Sequence, residues 1–291
     1  MTFSEQNPDQ FNTLRLPHKV AFLSRTGHAP LRFLFAAVIH LSLGFLSLAQ
    51  DGTISRSGKF MTSPVASTNM ASSATALESL KKRLDIEQTG PDTMRIGRVV
   101  LNKRERMVQI PCRVNMRRYI VEYVLVTETG KRHESILVTE AKPEQLHVAC
   151  LLLGVNATNL PGDYNQPCPV PSSNAVEIRA TWNKDGAPVF CPLDKLVVIR
   201  AESTANTSPR QSNPQTTDKP MSSGNWFYNG SFFGPNAFQA EIEGSIISLI
   251  RDPASLVNNP RNDLDNDKIH YPNERLLPPD GTAVEIVLKF K

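Results

Sequence analysis

In the stretch "GKRHESILVTEAKPEQLHVACLLLG", residues 130 to 154, His133, Glu134 and His147 carry the side chains of a two-histidine, one-carboxylate metal site. The same three would also serve as a glutamate base oriented by an imidazole. A strand sends neighbouring side chains to opposite faces, so His133 and Glu134 meet one ion only at a bulge or a strand end. The sequence therefore favours a structural role, with Glu134 or His133 bonded to the following helix N-terminus and His147 to nearby backbone. A metal-dependent enzyme using this region is the alternative. Ser135 lacks the G-x-S-x-G surroundings of an activated nucleophile.

A second acidic constellation lies in "DLDNDKIHYPNE". Asp263, Asp265, Asp267 and Glu274 occupy positions 1, 3, 5 and 12 of an EF-hand-like loop, the oxygen-rich spacing that suits calcium. Lys268 stands where the loop needs its turn glycine, Pro272 interrupts the second half, and neither flank reads as a helix, so a solvated acidic turn is expected. No cofactor is predicted, and a divalent metal at one of these two places is the sole candidate. The densest aromatic stretch, Trp226, Phe227, Tyr228, Phe232 and Phe233, reads either as β core or as an exposed shelf for carbohydrate or a partner.

The cysteines exclude further chemistry. Cys112, Cys150, Cys168 and Cys191 form no C-x-x-C pair, so a zinc ribbon or iron–sulfur cluster finds no ligand spacing. Cys112 and Cys150 fall at apolar positions of a strand and a helix. Cys168 and Cys191 sit in proline-flanked loops and are the pair expected if a disulfide forms. The sequons at Asn156, Asn206 and Asn229 are glycosylation acceptors only in a eukaryotic source.

These residues need elements to position them. The chain has 291 residues, enough for a large core, and its 22 prolines against 15 glycines point to many loops. A net charge of +4 is too small to argue for nucleic acid. The basic run from Arg95 to Arg118 lacks interleaved aromatics and reads as a solvated hairpin. Residues 1 to 50 read as an export signal: Arg32 precedes an apolar run over 33–48, and Ser47 and Ala49 suit cleavage after Ala49 or Gln50. The same run, left uncleaved, is long enough for a tilted membrane anchor, and only then is a membrane a partner. Residues 51 to 88 read as a flexible linker with a short helix, Leu77, Leu80 and Leu84 sharing one face.

The folded domain is expected over 89–291. "RMVQIPCRVN" alternates inward at Val108, Ile110, Cys112 and Val114. Strands at Tyr119–Val126 and His133–Thr139 flank "TETGKR" as a hairpin turning at Gly130. In "KPEQLHVACLLLG" the period changes: Pro143 suits a first helical turn, Gly154 a helix end, and Leu146, Ala149, Cys150 and Leu153 one apolar face. Residues 203–225 show no periodicity and read as a disordered insertion or a linker between two halves. The expected fold is α+β, a mostly antiparallel sheet, sandwich-like or an open barrel, with one prominent helix packed on it.

The stretch from "IPCRVN" through "GKRHESIL" to the helix "PEQLH…LLLG", with the later "WFYNGSFF" and "LLPPDGTAVEIVLKF", resembles the YdjY domain family over about residues 95 to 291. That resemblance implies an exported bacterial protein and assigns it no reaction. Some relatives carry ferredoxin-type cysteine clusters, from which this chain departs. The expectation is an exported binding or structural module at the cell envelope, with an envelope or extracellular partner.

Overall fold

A computed structural model describes residues 75, 77–158, 170–200, 218–235 and 237–291. The export segment with Ala49 and Gln50, the linker to residue 74, Cys168, Asn206 and residues 203–217 lie outside the described residues.

The frame is built on its longest strands, β4 (Met107–Val114), β7 (Ala175–Lys184) and β15 (Ala283–Phe290). β15 pairs antiparallel with both others. Val284, Ile286, Leu288 and Phe290 alternate into the core while Glu285 and Lys289 stay half-buried, as a sheet with one buried face requires. β4 then divides its free edge: Met107–Gln109 pair with β3 (Val99–Asn102), and Arg113 and Val114 pair with β6 (Ser135–Thr139). Pro111 stands between those partners, where a missing N–H costs no ladder bond. Its carbonyl accepts from Thr139 Oγ1 at 2.6 Å. β7 divides likewise, pairing with β11 (Trp226–Tyr228) near its start and with β8 (Ala187–Pro192) beyond.

From β11 the ladder runs through β13 (Val257–Asn258), β12 (Ser245–Ser248) and β5 (Tyr123–Thr127) to β6, which returns to β4. The circuit β4–β15–β7–β11–β13–β12–β5–β6 is a closed barrel. β5–β6 and β12–β13 are parallel, so the barrel is mixed. This corrects the expected sandwich-like sheet or open barrel, while the expected antiparallel pairing holds at the other six junctions of the circuit. Alternation marks which face of a strand is buried, but closure depends on β4 and β6 finding each other, which no local pattern encodes.

The expected hairpin is also overturned. Tyr123 pairs with Ser135 and Thr127 with Thr139 in the same direction, and residues 128–134 carry the chain back along β5. Every residue of β6 and four of the five in β5 are buried, the continuous burial typical of parallel strands. Gly130 does not serve a hairpin turn. It meets Gly244 so closely that a Cβ on Gly130 would stand 2.9 Å from the Gly244 carbonyl oxygen, and one on Gly244 would stand 2.8 Å from the Gly130 Cα.

The helix Pro143–Leu152 starts and ends as its residues dictate, with Pro143 in its first turn and Gly154 just past its end at φ +76°. Gln145 closes a capping box onto the Lys142 N–H at 3.1 Å. The helix is not a prominent layer on an open sheet. It packs against β2 (Thr93–Ile96), β3, β4 and the short helix Gln239–Glu243, and is buried on most sides. Residues 77–84 form a further helix, with Leu84 buried. β1 (Ile86–Gln88) extends the β2–β3 hairpin. A separate small sheet has the order β10 (Asp218–Pro220), β9 (Val197–Arg200), β14 (His270–Pro272). Strands from before and after residues 203–217 interleave in the one barrel.

Candidate functional site

The structure separates the histidines of the opening motif. His133 and Glu134 lie not on a strand but on the 3-10 turn Arg132–Glu134 that precedes β6. His133 is exposed, with Nε2 3.8 Å from Glu134 Oε2. The Glu134 carbonyl accepts from the Glu122 N–H at 2.9 Å. The Glu122 carboxyl is pushed up, first by burial and then by the charge of Glu134. His147 faces the core instead, its Nδ1 2.8 Å from the Tyr228 hydroxyl and its ring 5.0 Å from that of Phe238. Burial lowers the His147 pKa to about 4, so the imidazole is neutral at physiological pH. Burial pushes the Cys150 thiol up, away from reactivity.

The acidic loop is likewise distributed among partners. Asp263 Oδ1 accepts from Asn259 Nδ2 at 2.7 Å and lies 3.7 Å from His270 Nε2. Burial acts to raise the Asp263 carboxyl, but the nearby His270 imidazole and the hydrogen bond from Asn259 outweigh it and hold the group low. Asp265 takes both oxygens to Arg251 at 2.8 and 3.0 Å, Glu274 pairs with Arg118, and Asp267 is exposed. Among the described residues no three or more His, Cys, Asp or Glu side chains are grouped to hold a metal ion. Trp226, Phe227 and Tyr228 are core residues, whereas Phe232 and Phe233 are exposed. Cys112, Cys150 and Cys191 are free thiols. The Asn229 amide is buried and spent on the carbonyls of Pro253 and Ser255, at 3.2 and 2.8 Å, so this sequon is closed in the folded domain.

What the sequence reading passed over is a cleft at the barrel rim where β4 ends and β6 begins. Its volume is about 680 Å³, and Arg117, Arg118, Tyr119, Arg132, His133 and Glu274 contribute to its walls. Asn115 ties the two walls together. Its backbone N–H donates to the Ile136 carbonyl at 2.8 Å, and its Nδ2 donates to the carbonyls of Arg132 and Ser135 at 2.7 and 2.8 Å. Arg117 Nη2 donates to the Glu274 carbonyl at 2.7 Å, while its Nε is buried without an acceptor. Arg118 reaches Glu274 Oε1 through Nε and Nη2 at 2.9 and 2.8 Å. The hydrogen bond from Arg118 holds the Glu274 carboxyl below its usual range. Tyr119 is 75% exposed and held at φ +74°, a conformation that costs a tyrosine about 1–2 kcal/mol. The basic run ending at Arg118 contained the signal, but a run of charge does not say which members will face a turn from elsewhere in the chain.

Fold and cleft together define a small, mixed β-barrel that carries polar side chains on loops at its rim. The family model for the YdjY domain matches residues 99–289, from β3 to the penultimate residue of β15, and the chain belongs to that family. No curated protein and no solved structure matches the chain.

Proposed function

We propose that the protein is an exported binding module of the cell envelope and that the rim cleft seats its ligand. The observation that carries the reading is the construction of the cleft: an open volume of about 680 Å³ whose arginines project from segments pinned to barrel strands through Asn115. Loops on a rigid scaffold are where binding residues concentrate, and a strained, exposed tyrosine in such a loop suits a contact residue. Export is supported by the apolar run over 33–48 with Ser47 and Ala49 behind it. The alternative, a metal-dependent enzyme, draws no support from the placement of its residues, since His147 turns to Tyr228 in the core while His133 opens on the cleft.

Nuclear magnetic resonance of the labelled domain tests the seat with a panel of small anionic, cationic and neutral compounds. Shifts concentrated at residues 115–119 and 130–133 are expected. Binding that perturbs only other regions, or no compound bound at all, overturns the assignment. N-terminal sequencing of the protein recovered from the envelope tests export, with a new terminus at Gln50 or Asp51 expected. A retained residue 1 in the membrane fraction would establish the anchor instead.

A further inference from the structure

Arg118 already grips a carboxylate. Both of its bonds go to Glu274 Oε1, yet the pair stands in solvent, with side-chain exposures of 72% and 45%. An exposed pair of this kind adds little to stability and is readily exchanged. Glu274 sits on a turn suspended from Asn273, whose N–H and Nδ2 bond the carbonyls of Leu196 and Lys195 at 2.8 and 2.9 Å. The Glu274 side chain can therefore leave Arg118 without disturbing that anchor.

The neighbouring guanidiniums are incompletely matched. Arg117 has a buried Nε with no acceptor. Arg132 has only long contacts, 3.4 Å to Glu128 and 3.4 Å to Asn115 Oδ1, because Glu128 is held more closely by Arg113 at 2.7 Å. The arginines at 117, 118 and 132 thus share the cleft with the carboxylates of Glu274 and Asp280, and the exposed Tyr119 ring stands beside them.

Resting on the cleft as ligand seat, we propose that its ligand is an anion, a carboxylate or a phosphate, that displaces the Glu274 carboxylate from Arg118 and supplies oxygens to Arg118 and Arg132. The exposed guanidinium forks of Arg118 and Arg132 match such oxyanions, which is why arginine recurs where they are recognised. Glu274 then acts as an internal competitor. It keeps the cleft occupied when empty of ligand and lowers the apparent affinity by the fraction of time it holds Arg118.

Calorimetric titration of the full chain with inorganic phosphate, glycerol phosphate, succinate and neutral glycerol tests this, on the native protein and on Arg118→Gln and Glu274→Gln. All three proteins should melt alike, because both side chains are exposed. The anions should bind and glycerol should not. Glu274→Gln should tighten anion binding about tenfold, and Arg118→Gln should weaken it by about tenfold or more. Unchanged or weaker anion binding in Glu274→Gln overturns the displacement. Anions binding no better than glycerol to both native protein and Glu274→Gln overturns the ligand class. Neutral compounds that shift residues 115–119 while anions do not would leave the cleft as a seat and remove only its anion. Sedimentation with phosphatidylglycerol vesicles distinguishes a lipid headgroup from a free anion. Arg118-dependent pelleting without tight glycerol phosphate binding identifies the headgroup, and the reverse identifies a soluble ligand.

Discussion

Two polar regions of this barrel use similar side chains to opposite ends. Beneath β11 and β13, Asn258 Nδ2 donates to Asn229 Oδ1 and to the Asp252 carbonyl at 2.8 and 2.9 Å, while its Oδ1 accepts from the Asp252 N–H at 2.9 Å. Tyr123 adds its hydroxyl to Asp252 Oδ2 at 3.1 Å, and Lys131 donates to that hydroxyl at 2.7 Å. The amides of this buried network are used up in the protein itself. At the rim, Arg132 is half-exposed and has only contacts of 3.4 Å, beside an open cleft. A buried polar group must be satisfied by the fold, whereas an exposed one with spare capacity can be satisfied by something else. Saturation fits the first region to a structural role, and the spare donors of the second are what the proposed binding role would use.

The comparison is broken most directly at Asn258. Asn258→Leu removes three buried hydrogen bonds and strands their partners, so urea unfolding should show a loss of roughly 4 kcal/mol. Arg132→Gln, at the rim, should change stability by less than about 0.5 kcal/mol in the same measurement. Comparable losses at the two positions would show that the cleft arginines are also part of the framework.

His147 gives the next largest effect. Its folded pKa of about 4 lies below the ordinary value of 6.5, so the unfolded chain binds more protons between those limits. Its stabilising contribution is complete above about pH 6.5 and falls away as the pH drops toward 4, by roughly 3 kcal/mol in all. Urea midpoints measured across that window should fall with acid in the native protein and fall less in His147→Phe. Equal slopes would mean that the acid response belongs to other groups.

How much of this was legible in the sequence differs between the regions. Pro143 and Gly154 announced the central helix because capping chemistry is local. The alternation at Val108, Ile110 and Val114 likewise announced β4. The parallel pairing of β5 and β6 was not announced, although "YVLV" and "SILV" show the unbroken apolar runs that such pairing permits. A glycine between two apolar runs suggests a hairpin, and only the contact with Gly244, more than a hundred residues later, explains Gly130 otherwise. The cleft depends on the same long-range pairing. Arg118 and Arg132 belong to one site because β4 and β6 are neighbours, and Glu274 joins them from beyond β14.

That glycine contact makes a third prediction. Gly244 ends the short helix at φ +67°, and an added Cβ would run into Gly130 and Thr127. Gly244→Ala should cost about 2 kcal/mol in thermal or urea unfolding. It should also shift the amide resonances of residues 130–133, because Gly130 lies in the cleft wall. Destabilisation confined to the 239–244 segment would separate the contact from the site.

The smallest expected effect is also the sharpest test of what the rim is for. Tyr119 holds a left-handed backbone that asparagine adopts at lower cost, and its exposed ring gives little back to the core. Tyr119→Asn should therefore stabilise the fold, by about 0.5–1 kcal/mol, where most substitutions destabilise. If the ring contacts ligand, the same change weakens binding in the cleft, so stability and affinity move in opposite directions. A variant that gains stability with affinity unchanged would reduce Tyr119 to tolerated strain. One that loses stability would show that the tyrosine supports the 115–120 wall, and the contrast between the saturated Asn258 network and an open rim would have to exclude that segment.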